Sequence, residues 1–173
     1  GKKVALLTLL LDAAKGFLAV YLAKQQILEG VYTDAEAAKY GMEIIMATGF
    51  FAILGHCFPI WLKFKGGKGV ATAFGVIFAL SLKLGILCGA TWVIVFFFSR
   101  YSSLAALIAI ALLPFQASRY DVAANMEQST LLGLVSLLVI LRHKSNINNL
   151  INGTEHKFSF GESKKAEHEP PAT

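Results

Sequence analysis

The sequence predicts an all-α fold, a polytopic bundle of helices that spans a membrane, and three observations lead to this prediction. Hydrophobic residues make up 55% of the 173-residue chain, only 16% of its residues are charged, and its mean hydropathy is +0.59. A soluble domain of this length normally buries less apolar surface than such a composition carries. Apolar runs of about 20 residues recur along the chain, and this is the length that a helix needs to cross a bilayer.

Six helical segments are predicted from these runs. Within the apolar stretch 70–99, Lys83 and Gly85 predict a turn at the membrane surface between two short helices. The other four segments are long enough to be spans or nearly so. In chain order the six are Val4 to about Ala23, Met42 to Leu62, the two halves of 70–99, Ser102 to about Ser118, and about Val122 to Leu141.

The basic residues predict the orientation, because lysine and arginine accumulate in the cytoplasmic loops of membrane proteins. If the first helix runs from inside to outside, most of them fall inside, including Lys63, Lys65 and Lys68, and Lys24 and Lys39 are among the few outside. Residues 1–158 are thus predicted to form one integral membrane domain. The polar residues 159–173 are predicted to form a disordered cytoplasmic tail.

Composition also excludes some classes of partner. A net charge of +5 could suit nucleic acid, but the lysines separate apolar runs instead of forming a basic stripe with aromatic residues. We therefore expect membrane lipid and no nucleic acid as a partner. Cys57 and Cys88 lie within apolar stretches, without a C-x-x-C pair or a histidine spacing suited to zinc, so neither disulfide nor metal is predicted.

The most informative segment is the loop Lys65–Gly69, which reads K-G-G-K-G just before an apolar helix. Glycines let the backbone approach an anion, and the first turn of the following helix offers unpaired N–H groups and the positive end of its dipole. Lys68 adds a compact positive charge. The Walker pattern is absent, so nucleotide hydrolysis is not predicted. An ordinary cytoplasmic loop is the alternative interpretation.

A second polar group of residues follows the last apolar run. If the helix continues past Leu141, His143 and Asn146 are three residues apart and share a face, so an imidazole and a carboxamide converge at the membrane edge. Such groups can hold a phosphate or a hydroxyl. The alternative is an interfacial anchor, but both this segment and the glycine-lysine loop are predicted on the same side, which favours one composite site.

Three further polar residues interrupt the first two spans. Asp12 and Lys15 are spaced to form an ion pair on one face of a membrane helix, where ionisable side chains are costly unless they pair or face a polar cavity. His56 lies about two turns from the glycine-lysine loop, and we expect it to pack or to hydrogen-bond near the site, with a catalytic part as the alternative.

Five segments carry a resemblance to a known family. They are L-L-L-D-A-A-K-G from Leu9, G-H-C-F-P-I-W-L-K-F-K-G-G-K-G-V-A-T from Gly55, S-R-Y-S-S-L from Ser99, L-R-H-K-S-N-I from Leu141 and N-G-T-E-H-K-F from Asn152. In order and over nearly the whole chain up to about Phe158, they resemble the bacterial acyl-phosphate-dependent glycerol-3-phosphate acyltransferases, the PlsY family. The resemblance implies a seven-helix protein of the bacterial inner membrane that transfers an acyl chain from acyl phosphate to the sn-1 hydroxyl of glycerol 3-phosphate, without cofactor or metal. Lysophosphatidic acid and phosphate are the implied products.

By the same resemblance, the loop of Lys65, Gly66, Gly67, Lys68 and Gly69 corresponds to the glycine-rich phosphate-binding motif. His143 and Asn146 correspond to the third motif, with general-base action by His143 as one option and proton transfer to a substrate phosphate as the other. Ser103 matches a serine near the substrate phosphates. The first helix of the family and its S-G-N-P-G-A-T-N motif would precede Gly1, so we expect little activity from residues 1–173 alone.

Two other classes of membrane protein are alternatives. A CDP-alcohol phosphotransferase needs clustered aspartates for metal binding, whereas this chain has only Asp12, Asp34 and Asp121. A transporter or channel subunit for a phosphorylated metabolite would also suit inner glycines and the pairing of Asp12 with Lys15. Transport predicts flux without a new product, and acyl transfer predicts lysophosphatidic acid.

Overall fold

The computed structural model describes residues 1–30, 33–120 and 122–159, which form eight α-helices and no strand. The all-α class is therefore confirmed. The predicted tail lies outside the described residues except at Ser159. The helices are α1 (Lys2–Leu28), α2 (Asp34–Cys57), α3 (Val70–Leu80), α4 (Leu82–Ser99), α5 (Ser102–Ala111), α6 (Leu113–Arg119), α7 (Met126–Arg142) and α8 (Lys144–Ile151), with a 3₁₀ turn at Ile60–Leu62.

Three stretches are long and apolar enough to cross a bilayer: Lys3–Leu28, Lys39–Leu62 and Leu82–Ser99. The pair α5 and α6 bends by 42°, the pair α7 and α8 bends by 61°, and the number of spans rises to five if each bent pair counts as one. The remaining predicted segment, α3, is an apolar helix of only 11 residues. All six predicted segments are thus helical, but in the described residues three to five of them qualify as spans.

The turn predicted at Lys83 and Gly85 is instead at Ser81. Ser81 has an extended backbone, with φ −156° and ψ 123°, and its hydroxyl accepts the N–H of Leu84 as the N-cap of α4. Gly85 lies inside α4, where a Cβ would be 2.4 Å from the ring of Phe78. The glycine therefore provides room for an aromatic ring of α3 and does not mark a turn.

The last two predicted segments also differ from the observed helices. The fifth is divided at Leu112 because Pro114, in the first turn of α6, has no N–H to continue the ladder of α5. The sixth begins at Met126 and not near Val122, because the side chain of Asn125 caps α7 by accepting the N–H of Gln128.

Glycines allow α1 and α3 to cross with their backbones in contact. A Cβ on Gly16 would lie 2.3 Å from the carbonyl oxygen of Thr72, and one on Gly75 would lie 1.9 Å from that of Ala13. Small residues at such crossings are typical of helices that pack within membranes. The contact fixes the start of α3, where the glycine-lysine loop ends, against the middle of α1.

The two ends of the bundle are held by polar contacts of different kinds. At one end, the Nζ of Lys24 in α1 donates to the carbonyl oxygens of Ala79 (2.7 Å) and Leu80 (3.0 Å), which are among the last carbonyls of α3. Lys83 lies over the ring of Tyr120 at the same end, 4.5 Å from its centroid. The glycine-lysine loop and α8 lie at the opposite end.

Candidate active site

The glycine-lysine loop is folded back on the C-terminal end of α2. The N–H of Gly66 donates to the carbonyl oxygen of Cys57 (3.2 Å), and that of Gly67 donates to the carbonyl oxygen of His56 (3.3 Å). A Cβ on Gly66 would lie 2.1 Å from the His56 carbonyl oxygen, and one on Gly67 would lie 2.1 Å from His56 Nε2. These two glycines are therefore needed for the contact with α2, and their amides are already engaged.

Arg142, the last residue of α7, holds the other side of the loop. Its guanidinium donates from Nε to the carbonyl oxygen of Gly67 (3.1 Å) and from a terminal nitrogen to that of Gly66 (2.8 Å). The same group lies 4.9 Å from the centre of the Phe58 ring, a cation–π contact. The Gly66–Gly67 backbone is thus fixed between the end of α2 and the end of α7.

Beyond these anchored glycines, the loop opens into the N-terminus of α3. Gly69 is the N-cap, with φ +85°, a conformation that favours glycine. The backbone N–H groups from Lys68 to Ala71 have no hydrogen-bond acceptor among the described residues. They form, with the ammonium group of Lys68, an arrangement that suits an anion.

His143 lies at the break between α7 and α8, so it and Asn146 do not share the face of one continuous helix as predicted. The Nδ1 of His143 is 2.7 Å from the carbonyl oxygen of Val139, and because a carbonyl only accepts, Nδ1 carries the proton. In the neutral ring Nε2 is then an acceptor. The side chain is only 2% exposed.

Asn146 and Ser103 meet at a carboxylate. The Nδ2 of Asn146 donates to Glu155 Oε1 (2.7 Å), and the hydroxyl of Ser103 donates to the same oxygen (2.5 Å). These bonds, that from Ser103 first, lower the pKa of Glu155 below its ordinary value. The Oδ1 of Asn146 is buried and has no partner among the described residues, which leaves it as a free acceptor.

These groups line one cavity of about 960 Å³. Of the predicted site residues, Gly67, Lys68, Gly69, Ser103, His143 and Asn146 line it, whereas Gly66 and the exposed Lys65 do not. Asp12 and His56 reach it from α1 and α2. In the described part of the chain, no three His, Cys, Asp or Glu side chains are grouped to hold a metal ion. The apolar part of the wall consists of Leu9, Leu10, Phe74, Trp92 and Val93, with smaller residues between them.

Comparison with known proteins agrees with this arrangement. Residues 1–153 match the family described as glycerol-3-phosphate acyltransferase. The chain belongs to the glycerol-3-phosphate acyltransferase family. The curated acyltransferase of Wolbachia pipientis subsp. Culex pipiens is 41% identical over 157 residues, which cover 91% of this chain and 74% of that protein. That of Caulobacter vibrioides strain NA1000 is 42% identical over 174 residues, 99% of this chain and 72% of that protein.

Two crystal structures of the integral membrane glycerol 3-phosphate acyltransferase PlsY (YgiH) match this chain, each with 32% sequence identity. The match to the glycerol 3-phosphate form of PlsY has a TM-score of 0.76 and covers 92% of this chain and 73% of the PlsY chain. Its lysophosphatidic acid form has a TM-score of 0.75, with 92% and 74% covered. The membrane-bundle fold and the family predicted from the sequence are therefore both confirmed, and the chain is an integral, multi-pass membrane protein.

Two residues contribute to the site in ways that the sequence did not predict, Arg142 and Glu155. The sequence predicts Arg142 only as part of an interfacial anchor, although it precedes His143 directly. It predicts no separate role for Glu155, whose partner Ser103 is 52 residues away. A carboxylate that follows Asn146 by nine residues was the available signal. The predicted ion pair of Asp12 and Lys15 is present, with 2.5 Å between Lys15 Nζ and Asp12 Oδ1.

Proposed function

We propose that this protein transfers a fatty acyl group from acyl phosphate to the sn-1 hydroxyl of glycerol 3-phosphate, giving lysophosphatidic acid and inorganic phosphate. The observation that carries the proposal is the cavity itself, which combines anion-binding donors, hydroxyl-binding acceptors and an apolar wall. Membership of the glycerol-3-phosphate acyltransferase family supports the acceptor substrate. The choice of acyl phosphate as donor rests on the resemblance of the motifs.

Substrate phosphate would bind at the N-terminus of α3. Lys68 supplies the charge, and the N–H groups of Gly69, Val70 and Ala71 supply directed donors. Gly66 and Gly67 would shape the loop and not donate to the phosphate, because their N–H groups bind α2. Lys65, exposed and outside the cavity, would attract anionic substrates only at longer range.

Glycerol hydroxyls would bind at His143 and Asn146, which line the same cavity. His143 Nε2 and Asn146 Oδ1 are both acceptors, and neither has a hydrogen-bond partner among the described residues. Glu155 fixes the orientation of Asn146, since a carboxylate accepts only from the amide nitrogen and so turns Oδ1 away from itself. Ser103, held by the same carboxylate, would lie near the phosphates.

The acyl chain would lie along the apolar wall between α1 and α4. Trp92 and Phe74 line its inner part. Leu9, Leu10 and Val93 line its outer part and are each more than half exposed, on faces that lipid would cover. A lipid-soluble donor could therefore enter sideways from the bilayer, with its phosphate towards Lys68.

Acyl phosphate is already activated, so direct transfer needs no covalent enzyme intermediate. The hydroxyl oxygen forms a bond to the acyl carbon, the bond from that carbon to the phosphate oxygen breaks, and phosphate leaves towards Lys68 and the amides of α3. The hydroxyl proton goes to His143 Nε2 or to a substrate phosphate oxygen. Either route gives the same products.

The test is reconstitution with acyl phosphate and labelled glycerol 3-phosphate, using this chain together with whatever its reading frame encodes before Gly1. We expect labelled lysophosphatidic acid and inorganic phosphate in equal amounts, and no product when acyl-CoA replaces acyl phosphate. Lys68→Ala should lower kcat/KM at least tenfold, since it removes a charge-assisted contact worth about 1.5–3 kcal/mol, whereas Lys65→Ala should change it much less. Movement of glycerol 3-phosphate across vesicles without product would instead favour a transporter.

The same assay tests the expectation about length. Because the chain covers only 74% and 72% of the two curated relatives, we expect residues 1–173 alone to show less turnover than a version extended by whatever its reading frame encodes before Gly1. We also place the site at the cytoplasmic face of the bacterial inner membrane, because most basic residues lie at the end of the bundle that carries the cavity. Full turnover by residues 1–173 would contradict the first expectation.

A further inference from the structure

Three polar side chains meet between α1 and α2, next to the cavity. The Nζ of Lys15 lies 2.5 Å from Asp12 Oδ1 and 2.6 Å from His56 Nδ1, while Asp12 Oδ1 is 3.3 Å from that same nitrogen. We call these residues the Asp12–Lys15–His56 triad. Polar groups within a membrane bundle are costly and usually serve a purpose there, yet the proposed acyl transfer assigns none to these three.

The contacts determine which nitrogen of His56 carries the proton. A lysine ammonium group only donates, so its short contact makes Nδ1 the acceptor. Asp12, 3.3 Å from Nδ1, is much closer to Lys15 and accepts from it. The neutral ring therefore has its proton on Nε2. This is the opposite tautomer to that of His143, whose proton is on Nδ1.

The protonated nitrogen points at the glycine-lysine loop. A Cβ on Gly67 would lie only 2.1 Å from Nε2, so the ring edge rests directly on the loop beside Lys68. The His56 side chain is 14% exposed and belongs to the wall of the cavity. Among the described residues no acceptor bonds to Nε2. A hydrogen-bond donor thus faces the cavity where an anion is expected.

We propose that His56 is a further substrate-binding residue, whose Nε2–H donates to a phosphate oxygen of the substrate held by Lys68 and α3. Lys15 and Asp12 are positioning residues that fix the tautomer. This inference rests on the proposed function for the identity of the anion, a phosphate monoester or acyl phosphate. It also explains why Gly67 has no side chain, since any Cβ would displace the ring from the loop.

Two variants of His56 separate this role from packing. In His56→Gln the side-chain amide nitrogen can reach the position of Nε2, whereas in His56→Asn it reaches only that of Nδ1. If Nε2–H binds phosphate, the Asn variant should raise KM for a phosphate-bearing substrate about tenfold or more, the effect of losing one hydrogen bond to a charged group. The Gln variant keeps a donor at that position, so its KM should stay within about threefold of the wild-type value.

The triad itself is tested by Lys15→Met, which removes the donor to Nδ1 but leaves His56 in place. We expect an intermediate rise in KM with little change in kcat, because both tautomers of His56 then become populated. Melting temperatures of all three variants, measured in detergent, serve as the control for folding. Equal KM values for His56→Asn and His56→Gln in folded protein would overturn the proposal.

A direct measurement uses ¹⁵N-histidine-labelled protein in nanodiscs, with His56→Gln to assign the resonance. We expect the Nε2-protonated tautomer, and a shift of that resonance when inorganic phosphate is added, which Lys68→Ala should abolish. An Nδ1-protonated ring, or no response to phosphate, would overturn the inference. A phosphate response without acyl transfer would sink the proposed function alone, and acyl transfer with wild-type KM in His56→Asn would sink this inference alone.

Discussion

Arg142 contributes to the site through two backbone carbonyl oxygens, those of Gly66 and Gly67. Its planar guanidinium binds both at once, which a lysine ammonium on a flexible chain cannot reproduce with the same geometry. Without this clamp the loop can rotate away from α7, and the amides of α3 no longer face the cavity in a fixed arrangement. We expect Arg142→Lys to raise KM for glycerol 3-phosphate about tenfold, the equivalent of roughly 1.4 kcal/mol, with a smaller change in kcat.

The matched control is Lys144→Ala, which removes a positive charge two residues further on, where no contact to the loop exists among the described hydrogen bonds. If KM depended only on the positive charge at this end, Arg142→Lys would behave as wild type and Lys144→Ala would not. That pattern would contradict the proposed role of the two Arg142 hydrogen bonds in fixing the loop. Steady-state kinetics on the three proteins in the same detergent decide between the two.

Glu155 holds Ser103 and Asn146 through a single oxygen, Oε1. Glu155→Gln keeps a carbonyl oxygen that can accept both bonds, whereas Glu155→Ala leaves a hydroxyl and an amide without their acceptor. We therefore expect the Ala variant to lose about 1–2 kcal/mol of stability after allowance for solvent screening, and the Gln variant to lose less. Thermal unfolding in detergent measures both.

The lowered pKa of Glu155 also predicts a dependence on pH. A carboxyl group whose pKa falls on folding adds stability above its ordinary pKa and loses it as pH falls through the lowered value. The wild type should thus exceed Glu155→Gln in melting temperature most at neutral pH, and the difference should shrink on acidification. A difference that grew towards acid pH would show that the ionised carboxylate is not the stabilising form.

Features of the site were predictable from the sequence where the residues that form them are neighbours in the chain. The glycines and Lys68 are contiguous, and the run itself indicates an anion-binding loop. The sequence did not reveal that Gly66 and Gly67 serve packing, because the atoms that would clash with a Cβ belong to His56, Cys57 and Pro59. Long-range partners such as Ser103 and Glu155 become visible only when the fold brings them together.

The close packing of α1 against α3 depends on glycine where the two helices cross. Gly75→Ala would place a methyl group 1.9 Å from a backbone oxygen of Ala13, which cannot move as a side-chain tip can. We expect a loss of about 1–3 kcal/mol, the usual cost of overpacking, and a lower melting temperature. Because α3 carries the amides of the proposed phosphate site, KM should rise as well.

Gly133→Ala is the matched control for this crossing. Gly133 lies inside α7, where an added Cβ meets nothing within 4 Å. Alanine has the higher helix propensity by about 0.5–1 kcal/mol, so this variant should be neutral or slightly more stable. Equal destabilisation by the two substitutions would mean that the loss comes from the helices in general and not from the α1–α3 contact.

Helix existence was predictable and helix ends were less so. Each apolar run became helical because its length and composition leave no other way to satisfy its backbone in lipid. The break at Ser81 rests on one hydroxyl cap, while Lys83 and Gly85, which look like a turn in sequence, are accommodated by the rings of Tyr120 and Phe78. The break at His143 likewise brings Asn146 towards Glu155, a contact that no periodicity encodes.

The bundle as a whole has two chemically different ends. The end with the cavity holds most of the basic residues. Two described acidic side chains near the cavity have polar partners: Asp12 pairs with Lys15, and Glu155 accepts from Ser103. At the opposite end, Glu43 accepts hydrogen bonds from Asn125 and Gln128. The basic residues near the cavity are Lys63, Lys65, Lys68, Arg100, Arg142, Lys144 and Lys157, and the acids at the other end are Glu29, Asp34, Glu36, Glu43 and Glu127.

This asymmetry predicts the orientation, and cysteine labelling tests it with little background because Cys57 and Cys88 are both buried. Ser145→Cys places a thiol on exposed α8 near the cavity, and Glu29→Cys places one just past α1 at the other end. A membrane-impermeant maleimide should label the first only in inside-out vesicles and the second only from outside the inner membrane. The reverse pattern would put the cavity on the outer face, away from soluble glycerol 3-phosphate. Labelling of both from one side would contradict the placement of Glu29 and Ser145 at opposite faces of the membrane.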